Sequence, residues 1–206
     1  MAQTGRPREF DLDERLDRAM EVFWRHGYDG TALSDLTAAM GINRPSLYAA
    51  YGNKEAIFLK ALDRYTDGPA SYVQTAFEQP TARATAETIL RGAVTTTTES
   101  GPIGCLFVQG ALATSEQGGG IQREMAARRQ AAHDRLRERF DRAATEGDLP
   151  PDTDTDALAR YTWMAAYGLS VQAAGGATAD QLHRAVDLTL ATWPPPTSSQ
   201  PPPTSD

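Results

Sequence analysis

The chain has 206 residues, of which 40% are apolar and 23% are charged, and its mean hydropathy is −0.47. These values exclude both a membrane-embedded protein and a wholly disordered one. The first residues contain no apolar leader segment, and no run of about 18 apolar residues occurs, so we expect a soluble, cytoplasmic protein without a membrane partner. The lone Cys105 excludes an internal disulfide framework and a multi-cysteine metal site.

Charge is unevenly distributed along the chain. The formal net charge is −7, but residues 1–64 contribute −1 and residues 65–206 contribute −6. The cations of the first part include Arg6, Arg8, Arg44 and Lys54. Because these cations fall at the amino terminus and around one short predicted helix, the overall acidity does not exclude a nucleic-acid partner.

Four helices are predicted in the first part of the chain, and no strand pattern competes with them. Asp11 and Glu14 form a capping pair at the start of a helix that ends at Gly27. The next three helices are predicted at Leu33–Met40, at Arg44–Tyr51 with Asn43 as N-cap, and from Lys54 to a break near Gly68.

Longer helices separated by proline and glycine are predicted in the rest of the chain. Their expected ranges are 82–98, 103–117, 121–146, 154–175 and 178–192. The expected fold is therefore all-α, with about nine helices. Residues 194–206 include six prolines among thirteen residues, which predicts a disordered proline-rich tail.

Two short helices joined by Gly41-Ile42-Asn43, after a longer amphipathic helix, form the pattern of a helix-turn-helix. In this motif the second helix presents its first turn to the DNA major groove. Candidate base contacts are Arg44 and Ser46, Pro45 between them is a further candidate DNA contact, and candidate phosphate contacts are Tyr48, Tyr51 and Lys54. The pattern alone also fits a helical protein in which Ile42 and its apolar neighbours only form a core.

A series of short motifs occurs in order around this helix pair. It runs Gly5-Arg6-Pro7-Arg8-Glu9-Phe10-Asp11, Phe23-x-x-x-Gly27-Tyr28, Thr31-x-x-x-Asp35-Leu36, Met40-Gly41-Ile42 and Ser46-Leu47-Tyr48-x-x-Tyr51-x-x-Lys54-Glu55. Over residues 5–65 the sequence closely resembles the TetR family of bacterial one-component repressors. Beyond them, only length and helical character agree. Ala50 departs from the family, which commonly has a phosphate-contacting His or Tyr there, and Tyr51 stands where Phe is common.

The resemblance implies a homodimer that binds double-stranded operator DNA. The predicted segments are an arm at 1–10, a helix-turn-helix domain at 11–65, an effector-binding and dimerisation domain at 66–193, and the tail. Thr31 joins the predicted DNA contacts through its motif. Arg6 and Arg8 either enter the minor groove or form a solvated basic tail.

The predicted function is a ligand-responsive transcriptional regulator, expected to be a repressor. A small-molecule effector, for which an electrophile is one candidate, would release it from a palindromic operator. The alternative is a ligand-binding or protein-interaction module that kept the fold without operator binding.

The last two predicted helices carry apolar stripes that resemble the family's dimer bundle. The stripes consist of Leu158, Tyr161, Thr162, Ala165 and Leu169, and of Leu182, Ala185, Val186, Thr189 and Leu190. A symmetric operator favours a two-fold protein. The alternative is that both stripes face the core of their own subunit.

A small-molecule site is expected between helices of the second domain. Its candidate residues are Cys105, Phe107, Gln109, Met125, Trp163, Met164 and Tyr167, each of which fits core packing equally well. Cys105 falls in the first turn of a predicted helix, where free N–H groups stabilise a thiolate. A Gly-Cys pair resembles electrophile-sensing members of the family, although a cysteine is also a common small core residue.

Nothing in the sequence predicts catalysis. The three histidines, His26, His133 and His183, lie far apart and lack metal-ligand spacing. No phosphate-binding loop and no Gly-x-Ser-x-Gly elbow occurs. We therefore expect no enzymatic activity, no cofactor and no metal.

Overall fold

A computed structural model describes residues 6–99, 101, 102, 104–111 and 119–194. This part of the chain forms ten α-helices and no strand, which confirms the predicted all-α fold. The helices are α1 Arg6–His26, α2 Leu33–Met40, α3 Arg44–Tyr51, α4 Lys54–Asp67, α5 Tyr72–Phe77, α6 Ala82–Thr98, α7 Leu106–Ala111, α8 Gly119–Thr145, α9 Thr155–Ala174 and α10 Ala179–Ala191. None of these helices is both long and apolar enough to cross a membrane.

Local signals fix the bounds of α2 and α3, which agree with the prediction. Gly41 ends α2 in the left-handed conformation, at φ 64° and ψ 36°, which glycine adopts without strain. The Asn43 side chain caps α3 by accepting a hydrogen bond from the Ser46 N–H at 2.9 Å. Asn53 caps α4 in the same way through the Ala56 N–H at 2.8 Å.

Three predictions about element bounds are wrong. Helix α1 begins at Arg6, so Asp11 is not its N-cap and the predicted arm is helical from that residue onwards. Pro7 is compatible with this start because the first turn of a helix leaves its N–H groups unpaired. Helix α5 was not predicted, and α7 begins at Leu106 rather than at 103. The remainder of the predicted 103–117 helix and the tail from 195 lie outside the described residues.

The first buried cluster is rich in aromatic side chains from α1 and α4. The Phe58 ring meets Phe23 edge-on at a centroid distance of 5.1 Å and Tyr28 at 5.3 Å. Phe23 and Phe58 are fully buried, as are Leu36 and Leu47 of the helix pair. Such packing holds α2 and α3 against a rigid base.

The second buried cluster is built largely on small residues. Helix α6 packs against α9 and α10, and alanines such as Ala86, Ala93 and Ala166 lie at the buried faces. Small side chains let the helix axes approach closely. Leu136 and Phe140 of α8 complete this cluster.

The first cluster extends past the predicted domain boundary at residue 65. Leu106, Ile121 and Met125 of α7 and α8 are fully buried within it. The Trp24 indole N–H also donates a hydrogen bond to the Gly104 carbonyl at 2.8 Å. The helix-turn-helix region is therefore packed directly against the second region.

Candidate functional site

Helix α3 presents most of its surface to solvent. Leu47 and Tyr51 are its two buried residues, and the six others are exposed. The exposed positions include the predicted DNA contacts Arg44, Pro45 and Ser46, and the predicted phosphate contact Tyr48, which is 46% exposed. The structure thus brings these four predicted residues onto one accessible helix that starts at a rigid cap.

The predicted phosphate contact at Tyr51 does not fit the structure. Its side chain is buried, and its hydroxyl donates a hydrogen bond to the Leu12 carbonyl at 2.8 Å. Arg15 also ties α1 to the helix pair, because its Nη1 donates to the carbonyls of Met40 and Gly41 at 2.9 and 3.1 Å. Tyr51, at the end of α3, and Arg15, at the turn between α2 and α3, therefore both hold the motif on α1.

The predicted DNA contact at Thr31 does not fit either. Thr31 is 1% exposed, and its hydroxyl donates a hydrogen bond to the Gly27 carbonyl at 2.7 Å. Its role is to close the turn between α1 and α2. The side chains of Arg6 and Arg8 lie outside the described residues.

Lys54 lies at the first position of α4, partly buried beside the Tyr28 ring. Its Nζ is 4.4 Å from the ring centroid, within the range of a cation–π contact. Burial lowers the pKa of Lys54, and the carboxylates of Asp29 and Asp35 partly oppose this shift. Its contact with DNA phosphate stays a prediction.

A cavity of about 250 Å³ lies between α4, α5, α8 and α9. Its described lining residues are Tyr65, Thr66, Ala70, Tyr72, Val73, Gln74, Phe77, Cys105, Phe107, Arg128, Arg129, Ala131, Ala132, Arg135, Trp163 and Tyr167. The walls are mainly aromatic and aliphatic, with a few polar groups, which is the usual composition of a small-molecule site.

Four of the predicted ligand-site residues, Cys105, Phe107, Trp163 and Tyr167, line this cavity together. The other three predictions are wrong for this cavity. Met125 is fully buried in the first cluster, and Gln109 packs near the Gly27 turn. Met164 is 64% exposed on the outer side of α9.

Sequence reasoning missed the α5 wall and the arginines. Tyr72 and Phe77 belong to a six-residue helix with too few turns to show a periodic pattern. Arg129 and Arg135 lie six residues apart on α8 and resemble an ordinary solvated helix face. A partial signal was available, because neither Arg129 nor Arg135 has an acidic residue four positions away on either side, whereas Arg128 has Glu124 and Arg137 has Asp141 at that spacing.

Cys105 lines the cavity and lies immediately before α7 rather than in its first turn. It is half-buried, and the Tyr65 hydroxyl donates a hydrogen bond to its Sγ at 3.6 Å. Burial raises the pKa of Tyr65, Tyr72 and Tyr167 well above the usual value, and proximity to Cys105 adds to the shift. Their phenols therefore remain protonated hydrogen-bond donors at neutral pH.

Tyr65 connects the cavity to the helix-turn-helix region. Its ring meets Trp24 of α1 edge-on at a centroid distance of 4.8 Å. Trp24 in turn binds the Gly104 carbonyl, next to Cys105. The cavity wall and α1 therefore share direct contacts.

Half of the predicted dimer stripe faces the subunit's own core. Thr162, Leu169, Leu182, Val186 and Leu190 are all buried. These five assignments are corrected because the stripes pack against α6 and its neighbours. Tyr161 and Ala185 are exposed, and Leu158, Ala165 and Thr189 are half-buried.

Large apolar side chains are also exposed on α9 and α10, and one of them, Tyr161, belongs to the predicted stripe. They include Tyr161, Met164, Val171 and Leu188, with exposed fractions of 45, 64, 52 and 71%. A Cβ placed on Gly168, on the same face of α9, would meet no atom within 4 Å. We call these five residues the outer face. The four members on α9 repeat at helical spacing, and among them only Tyr161 was in the predicted stripe.

The accessible helix-turn-helix and the separate ligand cavity together define a ligand-responsive DNA-binding regulator. Residues 16–61 match the family model described as bacterial regulatory proteins, tetR family. Residues 82–188 match the tetracyclin repressor-like C-terminal domain. The chain belongs to the TetR family of bacterial regulatory proteins.

Relatives of known name agree with this assignment. The chain is 33% identical over 193 residues to the HTH-type transcriptional repressor ComR of Escherichia coli strain K12, covering 92% of each protein. Among solved structures, a cysteine mutant of the TetR family transcriptional regulator CifR, complexed with 26bp double-strand operator DNA, has a TM-score of 0.85 and 39% identity, covering 92% of this chain and 100% of that one. A TetR regulator from Chloroflexus aurantiacus J-10-FL shares the fold, with a TM-score of 0.70 at 23% identity over 89% of this chain and 93% of that one.

Proposed function

We propose that this protein is a cytoplasmic, non-catalytic repressor that binds a palindromic operator as a homodimer and leaves it when a small molecule occupies the cavity. The observation that carries the proposal is the direct packing, through Tyr65 and Trp24, between the cavity wall and α1, the helix that holds the helix-turn-helix. The 39% identity to CifR, whose structure contains operator DNA, supports operator binding.

A gel-shift titration tests operator binding. The purified protein is titrated against DNA from its own gene neighbourhood at low and moderate salt, with scrambled DNA as control. Because a dimer that neutralises about six to ten phosphates loses on the order of a thousandfold in affinity over this salt range, we expect strong salt dependence and a preference for one sequence. Equal binding to scrambled DNA would contradict the proposal.

The outer face supports the homodimer. Its exposed apolar side chains fit a second copy of the chain, and Gly168 leaves room for close helix approach. We expect Leu188→Glu to convert the dimer to a monomer in light scattering after size exclusion. Leu12→Glu, a matched change at a leucine that is 39% exposed on α1, should leave the dimer intact. A wild-type monomer, or a dimer that survives Leu188→Glu, would contradict this interface.

Induction requires that the effector prefer one conformation of the dimer. A hundredfold release from DNA corresponds to a preference of about 2.7 kcal/mol. We expect cavity occupation to move α4, which carries Tyr65, and thereby to change the separation of the two α3 helices.

Cys105 makes an electrophile one candidate effector. Its half-buried Sγ lines the cavity, within reach of a planar molecule held between the aromatic walls. With a quinone, the sulfur would add to an electron-poor ring carbon to form a thioether, and the thiol proton would end on the quinone oxygen. We expect a quinone to abolish the gel shift of the wild type and to leave that of Cys105→Ser intact. Loss in both proteins would refute the role of Cys105.

A further inference from the structure

Three arginines line the cavity, and only one of them has carboxylate partners among the described residues. Arg128 forms ion pairs with Glu124 at 2.7 Å and with Asp63 at 2.6 Å. Arg135 instead donates a hydrogen bond to the neutral Gln74 at 2.8 Å and stacks over the Phe77 ring at 4.0 Å. No aspartate or glutamate occurs among the described lining residues. The cavity therefore carries a positive charge that the lining does not neutralise.

Among the three arginines, Arg129 has the fewest hydrogen-bond and ion-pair partners within the described residues. Its Nη1 is buried and has no hydrogen-bond partner among the described residues. Arg139 also has a buried Nη1 without a partner, but it lies outside the cavity and its Nη2 donates to the Gln79 carbonyl at 3.0 Å. Arg129 as a whole is half-buried, so its charge is only partly desolvated, and the unpaired Nη1 favours a hydrogen-bond acceptor supplied by a ligand.

The surroundings of Arg129 favour a planar, aromatic ligand. The Trp163 and Tyr167 rings lie on the facing helix α9, nearly parallel to each other at an angle of 22° and a centroid distance of 5.8 Å. Arg129 is close enough to Tyr167 to oppose the rise in the pKa of that phenol. The Tyr167 hydroxyl stays protonated at neutral pH and can donate to the same anionic group.

We propose that the cavity is an anion site selective for aromatic carboxylates, in which Arg129 binds the carboxylate and the Trp163–Tyr167 pair contacts the ring. A guanidinium matches a carboxylate with two parallel N–H bonds, which gives both energy and orientation. The inference rests on the proposed function only in taking this cavity as the effector site. It goes further by stating the charge and shape of the effector.

Isothermal titration calorimetry of the DNA-free protein with 2-naphthoate and with 2-naphthamide tests whether the cavity prefers a negatively charged ligand. The two probes share one aromatic body and differ in carrying a carboxylate or a neutral amide. We expect the wild type to bind naphthoate at least tenfold more tightly than naphthamide. Equal affinities, or a preference for the amide, would overturn the proposal.

Variants test the assignment to Arg129. We expect Arg129→Gln to remove the preference for naphthoate and to leave naphthamide binding unchanged, and Arg129→Lys to keep part of the preference. Arg137→Gln is the matched control, since Arg137 lies on the same helix outside the cavity and is already paired with Asp141 at 3.0 Å. It should change naphthoate binding less than threefold. Equal losses in the Arg129 and Arg137 variants would overturn the role of Arg129, and circular dichroism would show whether each variant is folded.

The gel shift separates this inference from the proposed function. Naphthoate that binds the free protein without weakening its DNA complex would support the anion site and refute its role as the effector site. A protein that prefers naphthoate and binds no operator would refute operator binding alone. Naphthoate that weakens the DNA complex of the wild type, but not that of Arg129→Gln, would support both.

Discussion

The two buried clusters use aromatic residues for different purposes. In the first cluster, the rings of Phe23, Tyr28 and Phe58 fill the space between α1 and α4. Where the first cluster meets the second, Tyr72 and Trp163 help to line a cavity of about 250 Å³. Filling gives the recognition helix a rigid base, whereas an unfilled space between helices leaves room for a ligand and for movement. Aromatic content alone therefore does not reveal which region binds a ligand.

Tyr65 belongs to both regions. It is 1% exposed, packs against Trp24 of the first cluster and lines the cavity. A regulator needs such a shared residue, because a ligand changes DNA affinity only through contacts that differ between two conformations. The following predictions test how sharply the filled and open regions differ.

The largest expected effect is the loss of a ring from the filled region. Phe58→Ala should lower the free energy of unfolding by about 3–5 kcal/mol, because it removes a fully buried ring and leaves a cavity. Phe107→Ala should cost under about 2 kcal/mol, since Phe107 is half-buried and already borders open space. Urea unfolding followed by circular dichroism measures both. Equal losses would mean that the cavity wall is packed as tightly as the first cluster.

The next effect concerns the exposed face of α3. Arg44→Ala should weaken operator binding by about 1–3 kcal/mol and relax the preference at one base pair in each half-site. Lys54→Ala should weaken binding to all sequences alike and reduce the slope of log affinity against log salt by about one. Gel shifts on operators with single base changes measure the difference. If both changes acted equally at every base, Arg44 would be a backbone contact.

Gly92 of α6 lies against the ring of Tyr72, a residue of the cavity wall, and its substitution tests this contact. A Cβ at this position would lie 2.2 Å from Cδ2 of the Tyr72 ring, so Gly92→Ala must displace the ring. The overpacking should cost about 1–3 kcal/mol, and the better helix propensity of alanine should return up to about 1 kcal/mol. Urea unfolding should therefore show a net loss of stability.

A double-mutant cycle isolates this contact. In a Tyr72→Leu background the ring is absent, and Gly92→Ala should become neutral or stabilising. If the loss persists without the ring, the clash with Tyr72 is not its cause. Binding of 2-naphthoate should also change in Gly92→Ala alone, because Tyr72 lines the cavity.

Sequence reasoning was accurate where local chemistry determines the structure. The turn at Gly41 and the cap at Asn43 are set by residues within a few positions, and both α2 and α3 were predicted with the observed bounds. The burial of Thr31 and Tyr51 was not predicted, because it depends on α1 and on the turn that precedes α2. A motif shows which positions matter to the family, but it does not separate those that contact DNA from those that hold the motif together.

The cavity and the outer face were predicted only in part, because they too depend on contacts between residues that are distant in the sequence. Cys105 and Tyr167 are 62 residues apart in the numbering, and only the packing of α7 against α8 and α9 brings them to one space. The apolar residues of α9 recur at helical spacing on more than one face of the helix. Contact with α6 determines which of these faces is buried. Thr162 is buried and Tyr161 is exposed, although both were assigned to one stripe.

The smallest expected effect is the loss of the α3 cap. Asn43→Ala should lower stability by about 1 kcal/mol, because the Ser46 N–H loses its acceptor. Asn53→Ala should cost a similar amount through the equivalent bond at α4, and it serves as the matched control. Urea unfolding compares the two variants with the wild type.

The two caps differ in what they position. Asn43 sets the first turn of α3, which carries Arg44 and Ser46, whereas Asn53 sets α4. Asn43→Asp should keep the cap, since its oxygen still accepts and a negative charge suits a helix N-terminus, but the same charge next to DNA phosphates should weaken operator binding. Full stability with reduced DNA affinity would place this cap at the DNA interface. Unchanged DNA affinity in Asn43→Asp would mean that the first turn of α3 lies further from the phosphates than its exposure indicates.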